Sequence, residues 1–327
     1  MKTQISTDRN AAVELLRKGE IVAVPTETVY GLAADALNSI AVAKIFDAKG
    51  RPRFDPLIVH LPDRDWLEKI AEPAAQDRQL IAKLAETFWP GPFTIVLPRK
   101  TIVPDIVTAG LDTVAVRISA HPVFAEIIRA FGAPLAAPSA NRFGRISPTT
   151  AQHVFDELSG RVPLIIDAGA TPHGIESTIV RVHNGKIDIL RRGPITCEQL
   201  SAFGEVNIAK VGEKISAPGQ LPSHYAPKTP LRIVDDLKSF KSTSRCALLA
   251  WSPIQKDARF VAIRILSEKQ DLREAAANLF RYLRELDALD VDLIVAERVP
   301  LEGLGAAILD RLQRASQAYA QTQAPLE

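Results

Sequence analysis

The chain has 327 residues, 46% of them hydrophobic and 24% charged, a composition ordinary for globular protein and long enough for roughly two domains. A formal net charge of +2 and the lack of a Lys/Arg block exclude a polycationic tail of the kind that grips nucleic acid. Two cysteines, Cys197 and Cys246, form neither a CxxC pair nor a disulfide framework; with a polar amino terminus and no run near ~18 apolar residues, the expected location is the cytoplasm, off the membrane, with no zinc site.

In chain order, residues 11–18 read as an amphipathic helix closed by Gly19, and 21–24 as a buried strand running into Pro25-Thr26-Glu27-Thr28-Val29-Tyr30-Gly31-Leu32. Ser39 is placed to cap a helix ending near Ala48 and Gly50, followed by a strand at 56–61 and helical patterns through 63–89. Strands are expected at 93–97, 114–118, 135–137 and 164–166, with helices at 123–131 and 150–158 among them. Asn184-Gly185 between apolar runs is a tight hairpin signal, so the sheet is expected to be mixed. Thr196-Cys197-Glu198-Gln199 has capping-box form. The Pro-, Gly- and Ser-rich stretch from Ser216 to Pro227 reads as a linker, and strands at 231–234, 247–251, 260–265 and 293–296 with helices at 272–289 and 305–320 make a second unit. The expected division is a catalytic domain at 1–205, a linker at 206–229 able to cover an active site, and an accessory α/β domain at 230–327.

Phosphate-loop, GxGxxG, HExxH and GxSxG motifs are absent, so a nucleotide would need another cradle. Lys49 and Arg51 flank Gly50 at a helix end, where they serve either the helix dipole or a bound anion. Thr26 and Thr28 are β-formers, but at a strand's carboxyl end they are also placed to line a crevice. His60 sits in an apolar strand, where a satisfied core or rim histidine is the favoured local reading over a ligand. Arg117, in a β-like apolar run, needs a carboxylate or bound anion if buried. Ser139 and Asn141 follow small residues that permit close approach of ligand and backbone, or form a local turn. Ser177 enters the hairpin, and Arg191 and Arg192 leave it near the same sheet edge, a place suited to a phosphate.

PTETVYGL, KGRP with PLIVH, FWPGPFT, VAVRIS, APSAN, GIESTIV and LRRGPIT occur in this order across most of residues 10–200. In that order they resemble the YrdC-like family, and the length and the His224-Tyr225-Ala226-Pro227 segment resemble its two-domain members, the L-threonylcarbamoyladenylate synthases. The resemblance implies a YrdC-like twisted mixed sheet with helices plus a smaller carboxy-terminal α/β domain. It implies ATP, L-threonine and bicarbonate as substrates, Mg²⁺ carried by ATP, and downstream transfer proteins that modify tRNA, with any tRNA binding by this chain weak. By motif position, Thr28, His60, Arg117 and Ser177 would surround threonine, with Arg117 on its carboxylate. Lys49 and Arg51 would stabilise phosphate charge during catalysis, and Ser139, Asn141 and Arg191 would join them on ATP, with Asp55, Thr113, Ala137, Ser147 and Tyr225 as further nucleotide positions.

Asp55 and Ala33 depart from the family's usual Asn and Gly, and Gln220 from a common Met; a carboxylate at 55 repels phosphates unless a cation intervenes. Two other readings remain open: an RNA-binding module without catalysis, and a carbamoyltransferase using carbamoyl phosphate.

Overall fold

A computed structural model describes residues 1–209 and 224–320 of the chain. It divides into two compact units: 1–143, 148–172 and 176–209 belong to the first, and 144–147, 173–175 and 224–320 to the second. Of the expected linker, residues 210–223 lie outside the described residues.

The first unit is built on a mixed sheet whose strands are β1 (Gln4–Ser6), β2 (Val22–Val24), β3 (Gly31–Asp35), β4 (Ile58–His60), β5 (Phe93–Pro98), β6 (Thr113–Arg117), β7 (Leu135–Ala136), β8 (Leu164–Ile166), β9 (Thr178–His183), β10 (Lys186–Arg191) and β11 (Val206–Ile208). Among the described residues they lie in the order β1-β8-β2-β3-β7-β4-β6-β5-β9-β10-β11. Pairing alternates between senses: β4 runs parallel to β6, β6 antiparallel to β5, and β5 parallel to β9. The hairpin expected at Asn184-Gly185 joins β9 and β10 with both residues at positive φ, as a primed two-residue turn requires.

Strand pleating sends alternate residues to opposite cores. Val22 and Val24 enter one cluster and Ala23 another, and Leu164 and Ile166 are likewise divided from Ile165. Helices α1 (Arg9–Arg17) and, farther on, α6 (Pro122–Phe131) cover one face with Leu16, Phe124 and Ile127. The other face takes Ile45 and Phe46 of α2 (Ser39–Lys49), Leu84 of α4 (Arg78–Phe88) and Val154 of α7 (Ala151–Leu158); α3 (Leu67–Ile70), α5 (Asp105–Thr108) and α8 (Cys197–Ser201) are short. Thr196 and Gln199 form the expected capping box on α8.

Several expectations need correction. Asn38 rather than Ser39 caps α2, because its side chain accepts the Ile40 and Ala41 N–H groups. The helical pattern over 63–89 is broken: after α3, Ala71 bridges to Arg99 in the extended conformation, and helix resumes at α4. Strands β1, β3 and β11 have no counterpart in the expected list. They are short or rich in small residues, and each is held as a strand by its neighbour's ladder rather than by its own pattern.

The second unit has a parallel sheet in the order β12 (Leu231–Val234), β15 (Leu293–Glu297), β13 (Cys246–Ala250), β14 (Phe260–Ile265), with α9 (Leu272–Asp287) and α10 (Leu304–Ala320). Among the described residues no helix is long and apolar enough to cross a membrane.

Candidate active site

Five adjacent strands, β4-β6-β5-β9-β10, bring a row of polar side chains to one edge of the first unit's sheet. His60 and Arg117 close β4 and β6 and are register partners, so both point to the face away from the main core. Thr94 is the second residue of β5, Ser177 immediately precedes β9, and Arg191 closes β10. On the same face Ile58, Val96, Ala115, Ile179 and Leu190 form an apolar floor. An apolar floor with a few fixed polar groups is the usual construction of a small-molecule site.

The row is tightly wired. Arg117 donates from Nε to the Gly91 carbonyl (3.1 Å), from Nη1 to Thr28 Oγ1 (3.1 Å) and from Nη2 to Glu27 Oε1 (2.6 Å). Gly91 is required there, since a Cβ would lie 2.4 Å from the Phe88 carbonyl oxygen. Burial alone would raise Glu27, but the Arg117 charge and the bonds from Ser119 and Arg117 outweigh it and bring it down to about 2. His60 stands edge-on to Phe124 (4.9 Å between centroids), and its Nδ1 has no hydrogen-bond partner. Burial first, then the Arg117 charge, lower it to about 3, so the ring is neutral at physiological pH. Ser177 Oγ pairs with Thr94 Oγ1 (2.8 Å) and accepts from Arg191 Nη2 (3.0 Å), while Arg191 Nε donates to the Ser177 carbonyl (3.0 Å). Gly193 lets the chain pass close behind: a Cβ would come within 2.4 Å of the Thr178 nitrogen.

A second cluster collects cations. Lys49 ends α2, Gly50 turns the chain in the left-handed conformation, and Arg51 follows. Lys49 Nζ donates to the carbonyls of Ser139 and Asn141 (2.6 Å each), and the Phe143 N–H returns to the Lys49 carbonyl (2.9 Å), which pins the 139–143 loop to the helix end. Burial, reinforced by the Arg51 charge, holds the Lys49 amine well below its ordinary value. Arg51 reaches Asp55 Oδ2 (2.8 Å) and the Pro56 carbonyl (2.7 Å), just before β4. Burial pushes the Asp55 carboxyl up against the pull of Arg51, Lys49 and Arg191, all within electrostatic reach of it. Lys49, Arg51 and Arg191 thus gather around one buried carboxylate, a set of donors that suits a polyanion.

Thr113 opens β6 at the edge where Arg51 meets the chain before β4, at the far end of the strand from Arg117. Ala137 lies against Gly31, where a Cβ would approach its own to 3.3 Å. Ser147 and Tyr225 belong to the second unit, where Tyr225 stacks on Phe280 (5.6 Å) and faces the Arg311 guanidinium (5.0 Å). Sequence reasoning did not single out Thr94, Ser119, Gly91 or Glu27's pairing role. Only Glu27 had a local signal, a carboxylate between two threonines at a strand end.

A mixed α/β sheet with a cationic cluster beside a wired polar row defines a site for a small polar substrate and a polyanion. The chain belongs to the Sua5/YciO/YrdC family: the family model described as "Telomere recombination" matches residues 14–193, and "Threonylcarbamoyl-AMP synthase, C-terminal domain" matches 195–317. It is 38% identical over 320 residues to the threonylcarbamoyl-AMP synthase of Pyrococcus abyssi, covering 93% of both chains. It is 41% identical over 329 residues to that of Bacillus subtilis, covering 93% of this chain and 92% of the relative. Sua5 of Pyrococcus abyssi, solved in complex with L-threonine, superposes with a TM-score of 0.87 at 36% identity over 97% of each chain.

Proposed function

We propose that the chain makes L-threonylcarbamoyladenylate and pyrophosphate from L-threonine, bicarbonate and ATP, for threonylcarbamoyladenosine formation in tRNA by downstream transfer proteins. The observation that carries this reading is the wired row of Thr28, His60, Arg117 and Ser177 beside the buried Lys49-Arg51-Arg191 cluster, in a chain closely similar to a relative solved with L-threonine. Arg117 takes the threonine carboxylate, and the unpartnered His60 Nδ1 and Ser177 lie along the same edge for its remaining polar groups. Ser139, Asn141 and the cation cluster receive the nucleotide.

The amine of threonine combines with bicarbonate, losing water, or with carbon dioxide, losing a proton, to give a carbamate, whose oxygen attacks the α-phosphorus of ATP and displaces pyrophosphate as the α–β bridging P–O bond breaks. No protein nucleophile is needed. Lys49, Arg51 and Arg191 offset charge as it shifts onto the leaving phosphates, and the fixed row supplies orientation. Mg²⁺ carried by ATP would neutralise part of the phosphate charge.

The test is pyrophosphate release from ATP and bicarbonate with L-threonine, against serine and valine. Threonine-dependent release supports the reading. Release of inorganic phosphate, or no release from folded protein, refutes it; salt-sensitive RNA binding in the latter case would favour a binding module.

A further inference from the structure

We infer that Glu27 is the positioning residue for substrate carboxylate recognition: it clamps Arg117 so that the guanidinium presents a fixed pair of N–H groups to threonine. The inference rests on the proposed threonine-binding role of Arg117 and adds to it the group that sets the geometry.

A guanidinium has five N–H donors. Three are occupied, on Gly91, Thr28 and Glu27, one each from Nε, Nη1 and Nη2. One N–H therefore remains on each terminal nitrogen, the number that a carboxylate's two oxygens take. The three restraints differ in strength. Gly91 offers a neutral carbonyl. Thr28 is oriented by its neighbour: Thr26 Oγ1 donates to the Val29 carbonyl (2.6 Å), so its contact with Thr28 Oγ1 (2.8 Å) uses the Thr28 proton and leaves Thr28 an acceptor for Arg117. Glu27 alone brings a charge, and its other oxygen accepts the Ser119 hydroxyl, which in turn accepts the His121 N–H (3.2 Å). The clamp is thus anchored to the chain just beyond β6, the strand that carries Arg117.

Charge balance gives the clamp a second effect. A guanidinium already neutralised by Glu27 selects its ligand by geometry more than by charge. A zwitterionic amino acid adds no net charge to such a pair.

The test uses full-length protein and compares dissociation constants for L-threonine and L-threoninamide, which lacks the carboxylate, in the parent and in Glu27→Gln. The parent should prefer threonine strongly, and Glu27→Gln should lose roughly tenfold of that preference while its ATP affinity stays within about twofold. An unchanged preference, or tighter threonine binding in the variant, overturns the inference; the latter would make Glu27 a competitor for Arg117. A general packing defect would weaken both ligands together and leave the ratio intact. If Glu27→Gln does not fold, Ser119→Ala reads the same ratio, with a fall of about threefold expected and no fall refuting the clamp. A parent that binds no threonine overturns the functional reading itself, which is a distinct result.

Discussion

Asp55 is a carboxylate inside a site assigned to phosphates, and its replacement by Asn separates two effects that its burial couples. The Arg51–Asp55 pair is 2.8 Å apart with both side chains almost fully enclosed, and Lys49 and Arg191 lie within electrostatic reach. Removing the charge while keeping the shape leaves the buried cations without their carboxylate. Breaking a buried pair costs about 3 kcal/mol, or roughly 4 °C in Tm for a chain of this size. The same change removes a repulsion felt by an incoming phosphate; a unit charge about 6 Å away at an effective dielectric of about 20 is worth roughly 2–3 kcal/mol before screening. Asp55→Asn should therefore melt lower when empty, bind pyrophosphate at least tenfold more tightly, and recover most of its lost Tm when pyrophosphate is added. Differential scanning fluorimetry with a pyrophosphate titration reads all three. A variant with the parent's Tm, or one that pyrophosphate protects no better than the parent, would refute the counter-ion role.

His60 is neutral in the fold, lowered to about 3 from an ordinary 6.5, so the unfolded chain binds the extra proton and stability is lost as pH falls through that window. The slope is at most about 1.4 kcal/mol per pH unit, and His60→Asn should reduce it by one proton in urea titrations between pH 7.5 and 4.5; an unaltered slope contradicts the assignment. Lys49 is held below its ordinary value by burial, so an arriving polyphosphate should raise it and draw in a proton. Calorimetry of ATP binding in buffers of different ionisation enthalpy, from pH 6 to 9, should show uptake that Lys49→Met abolishes, and no uptake at any pH argues against phosphate contact. Gly193→Ala places a Cβ against the backbone of residues 176–178, so Ser177 should shift away from Thr94 and Arg191. Threonine affinity should fall more than tenfold, measured by calorimetry, whereas normal affinity would show that Ser177 is not part of the subsite.

The strands that carry the site residues were legible because their apolar runs are bounded: the strands expected at 56–61 and 114–118 contain or overlap β4 (Ile58–His60) and β6 (Thr113–Arg117), and the Asn184-Gly185 turn appears as expected. What escaped is pairing. A three-residue strand such as β11 has no period to detect, and β3 is composed mostly of small residues whose extended state is imposed by β2 and β7. The same holds in the site. Arg117 could be recognised as a charge needing a partner, but Glu27 could not be identified as that partner until the fold closed 90 intervening residues. Asp55 looked unfavourable beside phosphates in one dimension, and its pairing with Arg51 could be seen only in the fold.

The most direct measurement is to follow ¹⁴C-bicarbonate in a reaction with ATP and L-threonine, resolving products by chromatography and counting pyrophosphate. The expected result is one labelled carbon per pyrophosphate, in a single species containing both threonine and AMP, and no label in nucleotide when threonine is omitted. Pyrophosphate formed without threonine, or label recovered in a species that lacks AMP, would contradict a site that joins the carbamate of threonine to the α-phosphate.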